Sequence, residues 1–245
     1  MSVDFAALAA RVDQAAVAGE AVEQLTAGTE LTVADAYRVQ EALVARRLGR
    51  GERLVGVKLG LTSAAKMAQM GVDEVIWGRL TDAMSIADGD AVSTGGLIHP
   101  RVEPEVAFRL GAGGEPVAVA AALEVIDSRY ADFRFTLPDV VADNTSAAGF
   151  VLGPWRPIPA GLANFGVLLE VDGQVVETGS TAAILGDPWR ALQRGLKLAG
   201  GAGLVPQPGW VLLAGAATAA VPLPGAGHVR AVVEQLGGAS LEVRP

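Results

Sequence analysis

Two glutamates inside an alternating apolar run constrain this chain more than any other feature: Ile98 to Phe108 reads IHPRVEPEVAF, with Glu103 and Glu105 at its centre. Successive side chains of a β-strand point to opposite faces, so Val102, Pro104, Val106 and Phe108 fall on one face and both carboxylates on the other. That second face either meets solvent, and the glutamates are its polar side, or it lines a pocket. In a pocket, two like charges so close need a cation, and oxygen-only ligands suit a hard ion such as magnesium or manganese.

The rest of the chain narrows the choice. With 245 residues, 51% of them apolar, it can bury a sizeable core without covalent staples. It contains no cysteine, which excludes thiolate metal sites, Fe–S clusters and a cysteine nucleophile. A net charge of −8 argues against nucleic acid or an anionic membrane surface as partner, and points to small molecules or other proteins. The start, MSVDFAALAARVDQ, does not read as a secretory signal, and the longest apolar run, Trp210 to Leu223, is too short to span a bilayer. The expectation is a soluble cytoplasmic protein.

Periodicity divides the chain into a helical segment, residues 1–50, and a strand-dominated domain, residues 51–245. Val3 to Ala18 reads as a helix ended by Gly19, and Thr32 with Asp35 as a capping box opening a second helix that runs to Gly49. Leu54 to Leu61 reads as a buried strand, followed by a short helix carrying Lys66, Met67 and Met70. Strands are also expected at Trp77 to Leu80, Ala91 to Ser93 and Leu123 to Ile126. Asp172–Gly173 marks a hairpin between Asn164 and Gly179. Asp187 and Pro188 open a third long helix, to Ala199. Trp210 to Ala214, Val229 to Gln235 and a last hairpin through Gly237–Gly238 complete an α+β class with a mixed or antiparallel sheet core.

Three residues gain interest from their surroundings. Lys58 is one of only three lysines and lies between Gly56 and Gly60 in an apolar strand, so it either reaches an anion in a pocket or snorkels to solvent. Glu124, within ALEVIDSR, is either the polar side of a strand or a third carboxylate converging on Glu103 and Glu105. Asp143, in the polar cluster Asp143–Asn144–Thr145–Ser146, is a turn former or a site residue. His99 and His228 have no ligand-pair spacing and read as structural. No glycine-rich phosphate loop or G-x-S-x-G elbow is present.

Taken in order, GVKLGLTS at Gly56, GVDEVIWG at Gly71, the VEPEVAF strand, ALEVIDSR and VVADNTSAAGFVLG resemble the 2-hydroxypentadienoate hydratase and 4-oxalocrotonate decarboxylase group of the fumarylacetoacetate-hydrolase-like superfamily. The resemblance covers most of the chain. It implies that fold, magnesium or manganese on Glu103, Glu105 and Glu124, and Lys58 as the active-site lysine. It implies a 2-oxo or 2-hydroxy-dienoic acid substrate held by Leu61, Ile76, Trp77, Asp143, Asn144 and Ser146. It further implies a homo-oligomer and, in the decarboxylase branch, association with a 2-hydroxypentadienoate hydratase.

Ile76 separates the branches. The hydratases carry an aspartate at the matching position, suited to proton transfer, whereas decarboxylation needs an electron sink and a dry site. The resemblance therefore implies decarboxylation of a dicarboxylic 2-oxo acid, 2-oxo-3-hexenedioate, whose distal carboxylate is vinylogous to the ketone. The alternatives are the hydratase, a related carbon–carbon hydrolase, and a non-catalytic metal- or acid-binding module. Two features depart from the family pattern: a short segment between Glu105 and Glu124, and Ala64 where an arginine is expected.

Overall fold

A computed structural model describes residues 3–63, Met67 and residues 74–245. Two helices come first. α1 (Phe5–Ala18) is capped by Asp4, whose carboxylate accepts the Ala7 N–H at 3.0 Å, and ends at Gly19 in the left-handed conformation. α2 (Val33–Gly49) opens on the expected capping box of Thr32 and Asp35. The short helix expected after Ser63, with Lys66, Met70 and Ala64, lies outside the described residues apart from Met67.

An eight-stranded mixed sheet follows, built from β1 (Leu54–Gly60), β2 (Ile76–Thr81), β3 (Ser85–Ile86), β5 (Pro100–Leu110), β6 (Pro116–Asp127), β7 (Ala147–Leu152), β10 (Val211–Ala216) and β11 (Val221–Pro222). Its order is β2-β1-β10-β5-β6-β7-β3, with β11 also on β5. β4 (Ala91–Ser93), β8 (Gly166–Val171), β9 (Gln174–Ser180), β12 (Gly227–Val233) and β13 (Gly237–Arg244) make a second sheet in the order β4-β13-β12-β8-β9. Val102, Leu123 and Val125 of the first sheet pack on Leu169, Val229 and Leu241 of the second. α3 (Leu137–Ala142) precedes β7, and α4 (Pro188–Gly201), capped by Asp187 as expected, lays Leu192 and Ala199 into the core around Phe108 and Leu212.

The two initial helices join this body through a shared apolar core in which Val39 and Leu43 meet Ile76, Tyr130 and Val141. Gln40 is buried there and donates to the carbonyls of Trp77 and Val141 at 3.0 and 2.9 Å, while its own carbonyl accepts from Arg79 at 2.6 Å.

Two expectations need correction, and one strand lies outside those expected. β6 is twelve residues long, not four, because the alanine run before Leu123 has little strand propensity of its own but is buried between neighbouring strands. The stretch after Ser146 is strand β7, which its small residues did not announce. The last hairpin turns at residues 234–236, and Gly237 already pairs with Val233.

Candidate metal centre and active site

β5 and β6 run antiparallel in a register that sets Glu103 directly opposite Glu124, with Glu105 two residues further along the same face. All three side chains are buried, and each offers a carboxylate oxygen within 4.8 Å of the other two. Pro104 lies between the two glutamates of β5 and has no N–H to give a ladder. Next to it, opposite Val106, β10 bulges: Leu213 pairs with Ala107, but Ala216 pairs with Glu105, so an extra residue is accommodated. The bulge turns the Gly215 N–H onto Glu105 Oε2 at 2.8 Å. Only glycine serves there, since its φ is +109° and a Cβ would stand 2.1 Å from Thr62 Oγ1.

Lys58 reaches the same point from β1. Its Nζ sits 3.0 Å from Glu124 Oε1 but is aligned on Oε2, to which it donates at 3.3 Å. Oε1 of Glu124 and Oε1 of Glu105 are thus buried without a hydrogen bond. Burial raises the Glu105 carboxyl well above the usual carboxylate range, and the charges of Glu124 and Glu103 raise it further against Lys58. Burial also raises Glu124, with Lys58 opposing. Three buried carboxylates, two of them with an oxygen that accepts no hydrogen bond, outnumber the Lys58 ammonium between them, so the donor set fits a hard divalent cation. An oxygen-only site suits magnesium or manganese over zinc.

Through Glu103 and Lys58 the cluster borders a cavity of about 550 Å³. Lys58, Glu103 and Arg101 line it together with Leu61, Ile76 and Ser146 of the expected set, and with Ser63, Thr145, Phe133 and Phe135, which the sequence did not single out. Ile126, Val140 and the residues 216–220 complete a largely apolar wall. Arg101 was legible in principle, being the next member of the alternation that placed Glu103 and Glu105 on one face.

Trp77, Asp143 and Asn144 stand behind that wall. Trp77 alternates with Ile76 on β2, so its ring turns the other way and stacks on Tyr37 at 5.6 Å. Asn144 accepts the Arg79 N–H and donates to the Arg79 carbonyl, both at 2.8 Å, which pins it to β2. Asp143 Oδ1 lies 2.9 Å from Arg129 Nε without hydrogen-bond alignment, and Oδ2 accepts the Arg129 backbone N–H at 3.2 Å. Burial pushes the Asp143 carboxyl up to about 6 despite that arginine. Asn144, Thr145 and Ser146 all take left-handed backbone conformations, φ +48°, +53° and +58°, a turn that swings Thr145 and Ser146 into the cavity.

No family model matches the chain. It is 48% identical over 244 residues to a 4-oxalocrotonate decarboxylase of a Pseudomonas species, covering 95% of both chains. It is 41% identical over 191 residues to a 2-hydroxypent-2,4-dienoate hydratase of Pseudomonas putida, covering 71% of this chain and 86% of the relative. Among solved structures, 4-oxalocrotonate decarboxylase from Pseudomonas putida G7, complexed with magnesium and adipate, superposes with a TM-score of 0.93 at 35% identity, covering 98% of this chain and 97% of that one.

Proposed function

Because the chain belongs to the 4-oxalocrotonate decarboxylase family, on the fumarylacetoacetate-hydrolase-like fold, we infer that it catalyses the metal-dependent decarboxylation of 2-oxo-3-hexenedioate to 2-hydroxypenta-2,4-dienoate. This is a step in the meta-cleavage breakdown of aromatic compounds. The observation that carries the reading is the buried carboxylate triad with Lys58 at the floor of an apolar cavity.

Glu103, Glu105 and Glu124 would hold the divalent ion, magnesium or manganese. Bound there, the ion supplies Lewis-acid stabilisation of negative charge on the substrate's 2-oxo oxygen. The chain's own residues account for the rest. As the bond to the distal carboxylate breaks, its electron pair runs through the vinylogous system to the 2-oxo oxygen and CO₂ leaves; that oxygen then takes one proton from solvent water to give the 2-hydroxydienoate. Lys58, fixed by Glu124, brings an ammonium to that end of the cavity, where electrostatic stabilisation is strongest because water is excluded. Ile76, Phe133, Phe135 and Val140 keep the cavity dry, which favours loss of charge from the departing carboxylate. Ile76 also leaves the wall without the proton-transfer group that hydration needs. Leu61, Ser146 and Thr145 shape the substrate's berth, while Trp77, Asp143 and Asn144 serve it by fixing β2 and the left-handed turn.

The same proposal includes a homo-oligomer in the cytoplasm that associates with the hydratase consuming its product, supported by the similarity of this chain to relatives of both activities. Among the described residues no helix is long and apolar enough to cross a membrane.

The test is an assay of the purified protein on 2-oxo-3-hexenedioate and on 2-hydroxypenta-2,4-dienoate, each with magnesium and with a chelator. Magnesium-dependent CO₂ release from the first and little or no hydration of the second are expected. Rapid water addition to the dienoate with no CO₂ would overturn the assignment.

A further inference from the structure

The cavity extends past the carboxylates along β5. Arg101 and Glu103 share a strand face two residues apart, so their backbone positions are separated by roughly 7 Å. Arg101 lines the cavity, and no carboxylate of the described residues forms an ion pair with it. Its guanidinium carbon lies 4.6 Å from the centre of the Phe133 ring, and Nη1 leans on the Ala220 carbonyl at 3.5 Å. Phe133 is half-buried. It meets Phe135 and His99 edge-on at 5.3 and 6.2 Å, and both it and Asp132 adopt left-handed backbone, φ +54° and +59°. Two successive non-glycine residues in that region carry strain that the surroundings must sustain.

A guanidinium lying over an aromatic ring still has N–H groups directed away from it, and their fork matches a carboxylate. An extended six-carbon diacid separates its terminal carbons by about 6 Å, taking five bonds at the rise of an extended chain. With one end at the triad, the other end of such an acid comes level with Arg101. Resting on the decarboxylase reading above, we propose that Arg101, braced by Phe133, is the subsite for the substrate's far carboxylate, making the cavity selective for dicarboxylates of this length over monocarboxylates. An ion pair to a group that sheds its charge as CO₂ holds the bound acid at least as well as the transition state. Arg101 therefore acts on affinity and orientation, not on the rate of bond breaking.

The experiment uses the magnesium-loaded protein and two probes, adipate, which reaches both ends, and pyruvate, which occupies the metal end alone. Arg101→Met, which keeps the apolar stem, should weaken adipate about 10–100-fold, as expected for a lost charge-assisted hydrogen bond, and leave pyruvate within about twofold. For 2-oxo-3-hexenedioate, KM should rise by a similar factor and kcat change by less than about threefold. Arg101→Lys should recover part of the adipate affinity. If Arg101→Met does not fold, the same adipate-to-pyruvate ratio is read in Arg101→Lys and Phe133→Leu, where a several-fold loss confined to adipate is expected. Unchanged adipate affinity, or equal loss for both probes, would overturn the subsite. Because this is a binding ratio, it judges Arg101 even if the unmodified protein releases no CO₂, an outcome that would instead count against the proposed reaction.

Discussion

Lys58 lies on a buried strand with its ammonium against Glu124, so removing its charge separates electrostatics from packing. Lys58→Met keeps the stem. Turnover should fall about 10²–10³-fold, the range for deleting one donor at a developing oxyanion, while the magnesium-loaded protein keeps a cooperative melting transition. Unaltered kinetics would reduce Lys58 to a structural partner of Glu124. Glu105 and Asp143 provide a second test, through pH. Both carboxyls are raised in the folded protein, mainly by burial, Asp143 to about 6. The metal-free folded state then binds more protons than the unfolded chain from the ordinary carboxylate range upward, so its stability falls as pH rises through that window. The carboxylates held low by partners, Asp13, Asp35 and Asp82, work in the opposite sense and only below the ordinary range. With a chelator present, Tm should be lower at about pH 7.5 than at about pH 5, and magnesium should remove most of that difference by replacing protons at the triad. Asp143→Asn should remove its own share whether or not the metal is present. A chelated protein that gains stability across this range would contradict the charge deficit.

At the scale of elements, the left-handed turn 144–146 is seated on β2 at Gly78, where a Cβ would stand 2.5 Å from Thr145 Oγ1 and 2.7 Å from the Asn144 carbonyl oxygen. Gly78→Ala should displace the turn, lower stability by about 1–3 kcal/mol and raise KM, since Thr145 and Ser146 line the cavity. Gly166→Ala is the control: it lies on β8 away from the cavity, and its Cβ would meet only Glu234 Oε2, at 3.8 Å. Calorimetry with steady-state kinetics compares the two, and equal effects would show that the turn does not depend on Gly78. What could be read in advance divides along the same line. Caps, the Asp172–Gly173 hairpin and the β5 alternation were legible because each is a local rule obeyed by adjacent residues. The alanine-rich half of β6 was not, because its strand state comes from neighbours on both sides. Nor was the backing role of Trp77, Asp143 and Asn144: a motif marks which residues belong near a site, but β2's alternation and Asn144's grip on Arg79 decide which face it.

For the whole molecule, the division near residue 50 marks a change of architecture across a continuous core. Ile76, which lines the cavity, packs in the same cluster as Val39 and Leu43 of α2, and Gln40 satisfies three polar groups around it. Residues 51–245 alone would expose that apolar surface and unpair those groups, so this fragment should aggregate or melt without cooperativity, as judged by size-exclusion chromatography and thermal unfolding. A monomeric, cooperative fragment would make 1–50 an accessory. Strand order carries a consequence for how the chain reaches this state during synthesis. β10 sits between β1 and β5, pairing Gly56 with Val211 on one side and Ala107 with Leu213 on the other. Until the ribosome has released that late strand, β1 and β5 each present an unpaired apolar edge, the kind of surface that recruits other chains. The β5–β6 hairpin, by contrast, closes between neighbours in sequence and carries all three glutamates, so the nascent chain can bring its three carboxylates together before the sheet that delivers Lys58 beside them is complete.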